Sequence, residues 1–464
     1  MLHMTVKQLA GYSGGEIIGG DIRKYENHII TRFSTDSRDI DDSTLFVPVI
    51  GENVDAHKFI PDVLDSGCVV SLTSRDPQSL GYDGDSILIK VDDTVAAMQE
   101  IGKQLRTQIH VPIVGVTGSV GKTTTRQMIV AALSAGGKVF ATSGNKNSQI
   151  GVPLTMAEFD DRAYVGVLEM GMSEPGEMHK LAAVVRPDLA VMTNIGTAHI
   201  QQLGSKENIL QEKLHITDYM DPGSYVILNG DDPLLRHAQL AAGLIPVYYG
   251  TTADCDAYAS DIDMSRGCPR FTAIVFGQRI HIQLKMYGRH MIMNALAALC
   301  VAHCYAVNLE KAAEKLCEMS GFAHRQQFLD RGDLLIIDDT YNASPDSMRA
   351  GLEILSTIEC TGRRIAVLAD MRELGDQTEP AHRAIGEFIS FNKSADIVLT
   401  YGEAAKLITD SIDNDEIIRL HYTDRAQLDA YLADHVQRGD LVYFKGSNSM
   451  KLGESVSALY GGLK

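Results

Sequence analysis

Nowhere in the 464 residues does an apolar run approach the roughly 18 that a membrane-crossing helix needs. The opening "MLHMTVKQLAGYSGG" lacks the basic start and apolar stretch of a secretory signal. These absences predict a cytoplasmic protein with no membrane insertion. Positive charge is scarce: 42 Lys and Arg stand against 60 Asp and Glu, a formal net charge of −18. Nucleic-acid backbones reward Lys and Arg, so the composition argues against a nucleic-acid partner, whereas a nucleotide needs only local positive charge. Cysteine pairing is missing too. Seven cysteines are an odd number, scattered and without a CxxC spacing, which suits reduced thiols better than a disulfide framework. Cys300, His303 and Cys304 continue the helical run "NALAALCVAHC" and, with no second ligand pair, read as a core helix and not a metal site. Low-complexity segments and tandem repeats are absent.

What is present is ordinary globular material. With 45% apolar and 22% charged residues, the length implies about three domains at roughly 150 residues each. The expected fold class is α/β. Residues 1–92 read as a small mixed α/β domain, with short apolar runs ("STLFVPVI", "CVVSLTS", "SILIKV") between polar turns. Residues 93–322 begin with the helical "DTVAAMQEIGKQLR". They then alternate strand and helix, the rhythm of a parallel sheet wrapped by helices. The strand candidates are "VPIVGV", "KVFATS", "AYVGVLE", "PDLAVMTN" and "GSYVILN", and residues 245–290 are expected to form an antiparallel flank. In residues 323–464 the rhythm restarts with "DLLIIDD", "RRIAVLAD", "ADIVLTYG" and "DLVYFKG", a doubly wound domain. Ser344 and Pro345 mark the start of a helix there, as N-cap and first-turn proline.

"GVTGSVGKTTT", residues 115–125, departs from the usual phosphate-loop pattern, because Val116 stands where the first glycine is expected. Its context is nevertheless right. An apolar strand runs into the glycines, and Lys122-Thr123-Thr124 opens the amphipathic "TTTRQMIVAALSAGG". Phosphate binding needs inward-facing backbone N–H groups and a helix N-terminus aimed at the anion. Lys122 is expected to reach the terminal phosphates and Thr123 to hold Mg²⁺. Two neighbouring strands deliver Glu169 and His199 to the same carboxyl edge, where a parallel sheet binds ligands. Taken singly, Glu169 could be a surface loop acid and His199 a helix cap. Lys213 shares a helical face with Ile209, Ile216 and Met220. It reads either as a snorkelling lysine or as a partly buried amine near a metal. At its normal pKa only about one lysine in a few thousand is neutral at pH 7. Desolvation and a nearby cation lower that pKa, and a neutral amine can capture CO₂ as a carbamate.

In order along the chain, "GVTGSVGKTTT", "SGNKNSQIGVPLT", "LEMGMSEPGEM", "RPDLAVMTNIGTAHI", "GRHMIMNALAA", "DDTYNASPDSM" and "KGSNSMK" resemble the Mur ligases. The last two resemble the members that join D-alanyl-D-alanine to UDP-N-acetylmuramoyl-tripeptide, and "TDSRDIDDSTLFVPVIGENVDAHKFI" resembles that family's UDP-binding domain. The family uses a threonine-glycine loop, which accounts for Val116. The resemblance implies an ATP-dependent amide ligase of peptidoglycan precursor synthesis, working through an acyl phosphate, with ATP and Mg²⁺. The two named substrates would be its partners, and a monomer is expected. It implies phosphate-loop contacts from Gly118, Ser119, Val120, Gly121, Lys122, Thr123 and Thr124. Thr123, Glu169 and His199 would hold magnesium together with Lys213 as carbamate. Asn294 and His290 would lie near adenine, Arg325 near the terminal phosphate, and Asp339, Tyr341 and Asn342 on the nucleotide. Asp36, Ser37, Arg38 and His57 would surround the uridine diphosphate, and Asn147 and Ser148 the muramoyl-peptide. Several positions depart from the family pattern: Val120, Met291, Ser344, Ala369 and Asn448, where the family often has Arg after "KGS". A relative on the same scaffold, a folylpolyglutamate synthase or another muramoyl-peptide ligase, is the enzyme alternative; "DDTYNASPDSM" and the N-terminal segment count against the first. A non-catalytic nucleotide-binding regulator is the other, against which the complete Lys, Thr, Glu and His set counts.

Overall fold

The computed structural model describes residues 3–462 apart from 26, 52, 83, 84, 266 and 333. Three larger sheets carry the α/β fold. The N-terminal one runs Glu16–Ile18, Ile87–Lys90, Val70–Thr73, Thr44–Phe46, Arg32–Ser34. Only its first pair is antiparallel. The helix Thr94–Gln108 is capped by Asp93, whose carboxylate accepts the Val95 and Ala96 N–H groups. Its buried face, Ala97, Met98, Ile101 and Leu105, joins Met4, Leu9, Leu45 and Leu72 in the N-terminal core, together with Leu154 and Ala157 from further along the chain. This helix therefore ties the first sheet to the second instead of serving the second alone.

The central sheet has nine strands. From one edge they run Val139–Ala141, Val165–Glu169, Ile113–Thr117, Leu189–Met192, Tyr225–Asn229, Ile245–Gly250, Ala257–Asp263, Arg270–Val275, Gln278–Gln283. The first seven are parallel. The antiparallel flank thus begins at residue 270 and not at 245. Alternation of apolar and polar residues reports one-sided burial, which a parallel strand near a sheet edge shares with an antiparallel one. Register puts Glu169 beside Val116 and Met192 beside Thr117, so the carboxyl ends of three adjacent strands are level. The helix His290–Cys304 runs through the "CVAHC" stretch and is almost wholly buried against this sheet; all seven cysteines are free.

The C-terminal sheet has six strands: Gln327–Asp330, Leu335–Asp339, Leu441–Lys445, Arg364–Ala369, Ile397–Tyr401, Ile418–Tyr422. Four were legible as apolar runs. The two edge strands were not, because their side chains are half-buried or exposed and supply no such run. Separate cores on its two faces make it doubly wound. Ser344 caps the helix Pro345–Thr357 with a full capping box, as expected.

Candidate active site

The loop after Ile113–Thr117 is shaped by close contacts with the next strand's end. Gly118 has φ +148°, and a Cβ there would come within 1.9 Å of Thr193 Oγ1. Gly121, φ +83°, caps the helix Lys122–Ser134. Asn194 clamps the residue between them: the Val120 N–H donates to its Oδ1 at 2.9 Å and its Nδ2 donates to Val120 O at 3.0 Å. The Val120 N–H is therefore already engaged within the protein. Lys122 Nζ donates to the carbonyls of Gly118 (2.8 Å) and Ser119 (3.3 Å). Burial pushes the pKa of Lys122 down, and Arg325 adds to this while Glu169 opposes it.

Glu169 is 1% exposed. Thr123 Oγ1 donates to its Oε2 at 2.8 Å, and Asn147 Nδ2 to its Oε1 at 2.7 Å. Arg126, also buried, lies 3.8 Å from Oε2 and anchors residues 142–144 by donating to the Thr142 and Gly144 carbonyls. His199 takes a left-handed conformation, φ 61°, at the start of the short helix Ile200–Leu203. Its Nδ1 is 2.7 Å from Glu373 Oε2 but makes no hydrogen bond, so the contact is close without being directional. His199 shares the cleft with Thr123 and Glu169, but its Nδ1 faces Glu373, in the loop after the strand Arg364–Ala369, and not Glu169.

Lys213 lies in the helix Lys206–Leu214, which ends in a tight turn at His215–Thr217 before reaching Met220. Ile209 and Ile216 are fully buried beside it. The amine makes no hydrogen bond or ion pair among the described residues, and the residue is 1% exposed. Burial drives its pKa well down, helped by the charge of Lys122. The adjacent Glu212 carboxylate accepts the N–H groups of Gly176 and Met178 at 2.8 Å each.

The remaining cleft wall comes from two sources. Asn294 is buried and accepts a hydrogen bond from Thr125 Oγ1 at 3.0 Å, with His290 one turn earlier on the same helix. Burial lowers the His290 pKa, opposed by Asp339 and aided by Lys445. From the C-terminal domain, the Arg325 guanidinium sits 3.7 Å from the centroid of the Tyr341 ring. Asp339 Oδ2 accepts from Lys445 Nζ (2.6 Å) and Tyr443 OH (3.1 Å), and Lys445 Nζ also reaches Asn342 O at 3.1 Å. His290, Asn294, Arg325, Asp339, Tyr341, Asn342 and Lys445, with Ser119–Thr124, Asn147, Ser148, Glu169 and His199, line one cleft of about 1010 Å³, large enough for a nucleoside triphosphate and part of a second ligand, whereas Lys213 and Arg126 stand behind that lining.

The four N-terminal candidates are not among the residues lining that cleft. Asp36 and Arg38 form a bidentate pair (2.9 and 2.7 Å), whose hydrogen bonds pull the Asp36 carboxyl down to about 2. Ser37 stands between them. His57 is 1% exposed, with Nδ1 2.6 Å from Asp55 Oδ1 and Nε2 accepting the Ser74 N–H at 3.1 Å. Both of its ring nitrogens are taken inside the N-terminal domain. Asn194, Arg126, Glu373 and Lys445 escaped the sequence reading. Asn194 and Lys445 stand at strand carboxyl ends, the same signal that flagged Glu169, and Lys445 pairs in register with Asp339.

A phosphate loop on the carboxyl edge of a parallel sheet, facing cations from a second doubly wound sheet, defines a nucleotide-dependent enzyme that works between two domains. Residues 116–302 match the Mur ligase middle domain and residues 324–448 the Mur ligase, glutamate ligase domain. The chain is 36% identical to UDP-N-acetylmuramoyl-tripeptide--D-alanyl-D-alanine ligase of Bacillus subtilis (strain 168), over 99% of each chain. Among solved structures it resembles MurF from Acinetobacter baumannii, with TM-score 0.89, 27% identity and 99% of each chain covered. It also resembles MurF ligase from Thermotoga maritima in complex with ADP, with TM-score 0.81, 26% identity, 93% of this chain and 97% of that one. The chain belongs to the Mur ligase family of ATP-dependent ligases.

Proposed function

We propose that this enzyme joins D-alanyl-D-alanine to UDP-N-acetylmuramoyl-tripeptide at the expense of ATP, in the cytoplasm, as a monomer acting on no nucleic acid and inserting in no membrane. The partition into residues 1–92, 93–322 and 323–464 belongs to this reading: one domain for the UDP end, one for the phosphates, one for nucleotide and dipeptide. The observation that carries it is the contact of Thr123 with Glu169 on the sheet edge that also holds Lys122, beneath Arg325.

A carboxylate does not condense with an amine unaided, because oxide would have to leave. Transfer of the γ-phosphoryl group to a tripeptide carboxylate oxygen gives an acyl phosphate and ADP. The dipeptide amine adds to that carbonyl, the tetrahedral adduct expels phosphate, and the amine's proton is lost. Phosphoryl transfer asks the protein mainly for positioning and for neutralisation of charge. Lys122 exchanges its carbonyl partners for phosphate oxygens, and Arg325 approaches from the opposite domain. Asn147, already on Glu169, and its neighbour Ser148 mark the muramoyl-peptide side, whereas Asp36, Ser37, Arg38 and His57 mark the UDP end in the first domain.

The donor set suits Mg²⁺. Thr123 and Glu169 present oxygens in contact, His199 lines the same cleft, and Lys213 is a buried amine without a partner that a carbamate would turn into a further oxygen donor. When bound there, Mg²⁺ supplies positive charge for the phosphoryl oxygens. The test is phosphate release. Release that requires UDP-N-acetylmuramoyl-tripeptide and D-alanyl-D-alanine together is expected, in lysine or diaminopimelate form; no release with that pair, or release with tetrahydrofolate and glutamate instead, overturns the reading.

A further inference from the structure

Among the described residues outside the cleft, one group of side chains has the composition of a metal site. His179 lies in the first turn of the helix Glu177–Val185, and His215 and Asp218 follow directly on the helix that carries Lys213. Asp218 Oδ2 lies 2.5 Å from His179 Nδ1 and 2.9 Å from His215 Nδ1. One potential ligand atom from each residue falls within 4.8 Å of the other two. The two imidazoles stand edge to face, their centroids 6.0 Å apart, so both present Nδ1 to the same carboxylate.

We propose that His179, His215 and Asp218 bind one divalent transition-metal ion of the Zn²⁺ class. Two imidazoles and a carboxylate suit Zn²⁺, and they suit it far better than Mg²⁺, which takes oxygen donors. Ligand bonds of about 2.0–2.2 Å around a tetrahedral centre put neighbouring donors roughly 3.3 Å apart. The present 2.5 and 2.9 Å spacings open to that value with sub-ångström shifts of half-exposed side chains. Coordination at Nδ1 leaves the proton on Nε2, and the His179 Nε2 already lies 3.2 Å from Tyr219 OH, the partner a metal-bound imidazole needs to fix its tautomer. Three protein ligands leave a fourth position for water.

The ion would sit on the outer side of a joint whose inner side faces the active site. Glu212, next to Lys213, caps the start of Glu177–Val185, and Glu177 itself lines the cleft. A metal bridging His179 to His215 and Asp218 therefore fastens the same two segments a second time, from outside.

The experiment is calorimetric titration of chelator-stripped, full-length protein with Zn²⁺ in millimolar Mg²⁺, paired with thermal unfolding. One ion per chain is expected, with affinity at least tenfold weaker in His179→Gln and in Asp218→Asn and several-fold weaker in Tyr219→Phe. The Zn²⁺-induced rise in Tm should vanish in His179→Gln, whose unliganded Tm should match the wild type. Unchanged affinity in His179→Gln, loss of binding on thiol alkylation instead, or displacement by Mg²⁺ would each overturn the assignment.

Discussion

An amine buried without a partner either gives up its proton or burdens the fold, and Lys213 is held in that position. Its folded-state pKa is depressed by burial and by Lys122, so the native state binds fewer protons than the unfolded chain between that lowered pKa and about 10.5. The lysine's contribution to stability is fully present above the unfolded pKa and is lost as pH falls toward the folded one. At neutral pH the unmodified residue is a net cost to the fold. Lys213→Met keeps the length and drops the amine. In CO₂-free buffer it should raise stability by about 1–2 kcal/mol, read from urea midpoints at pH 7, with the gain shrinking as pH approaches 10. Ligation should fall at least a hundredfold in Lys213→Met and Lys213→Ala and not recover with bicarbonate. A variant both fully active and no more stable would remove the case for a functional amine. Residues of this kind were legible because they break a pattern: a lysine on an apolar face, an acid at a strand's end. His57 was not. Its burial and the Ser74 N–H it accepts, a contact across 17 residues, are set by packing and are not encoded beside it in the chain.

At the scale of the element, the phosphate loop depends on its neighbour strand as much as on its own glycines. Gly118 approaches the end of Leu189–Met192 so closely that any side chain meets the Thr193 hydroxyl, which itself donates to Val120 O at 2.6 Å. Gly118→Ala should cost at least about 2 kcal/mol and abolish ADP binding, since its φ also disfavours a Cβ. Thr193→Ala alone should cost about 1 kcal/mol for the lost hydrogen bond. The double variant should be more stable than the sum of the two, because the hydroxyl is then gone. Strict additivity in denaturant midpoints would contradict the close approach. The strand-to-loop-to-helix sequence was readable from "VPIVGVTGSVGKTTT", because apolar runs and glycines are local signals. The brace from Thr193 and Asn194 was not, since which strand lies beside which is fixed by the packing of the whole sheet. Edge strands escaped for a related reason: Ile418–Tyr422 is exposed or half-buried throughout and carries arginine and histidine between its apolar residues.

Across the whole molecule, the cleft is a gap between two sheets, and like charges meet across it. Lys122 on the middle domain feels Arg325 from the C-terminal one, and buried Arg126 feels it too. Repulsion between them opposes closure until an anion lies between. Among the described residues the close contact between His199 and Glu373 reaches the other way, but it is partly exposed and contributes only about 0–1 kcal/mol. On the proposed function the nucleotide would drive closure, and closing would exclude water from the acyl phosphate. Small-angle scattering should show a smaller radius of gyration when an ATP analogue and UDP-tripeptide are both bound than in the free enzyme. Arg325→Ala removes the repulsion together with the anchor. Its free form should be more compact than the free wild type, its ligand-induced change smaller, and its kcat/KM roughly a thousandfold lower. Identical scattering curves for free and doubly liganded wild type would rule out the hinge. A wild-type change fully retained in Arg325→Ala would show that the domains close through contacts other than charge across the triphosphate.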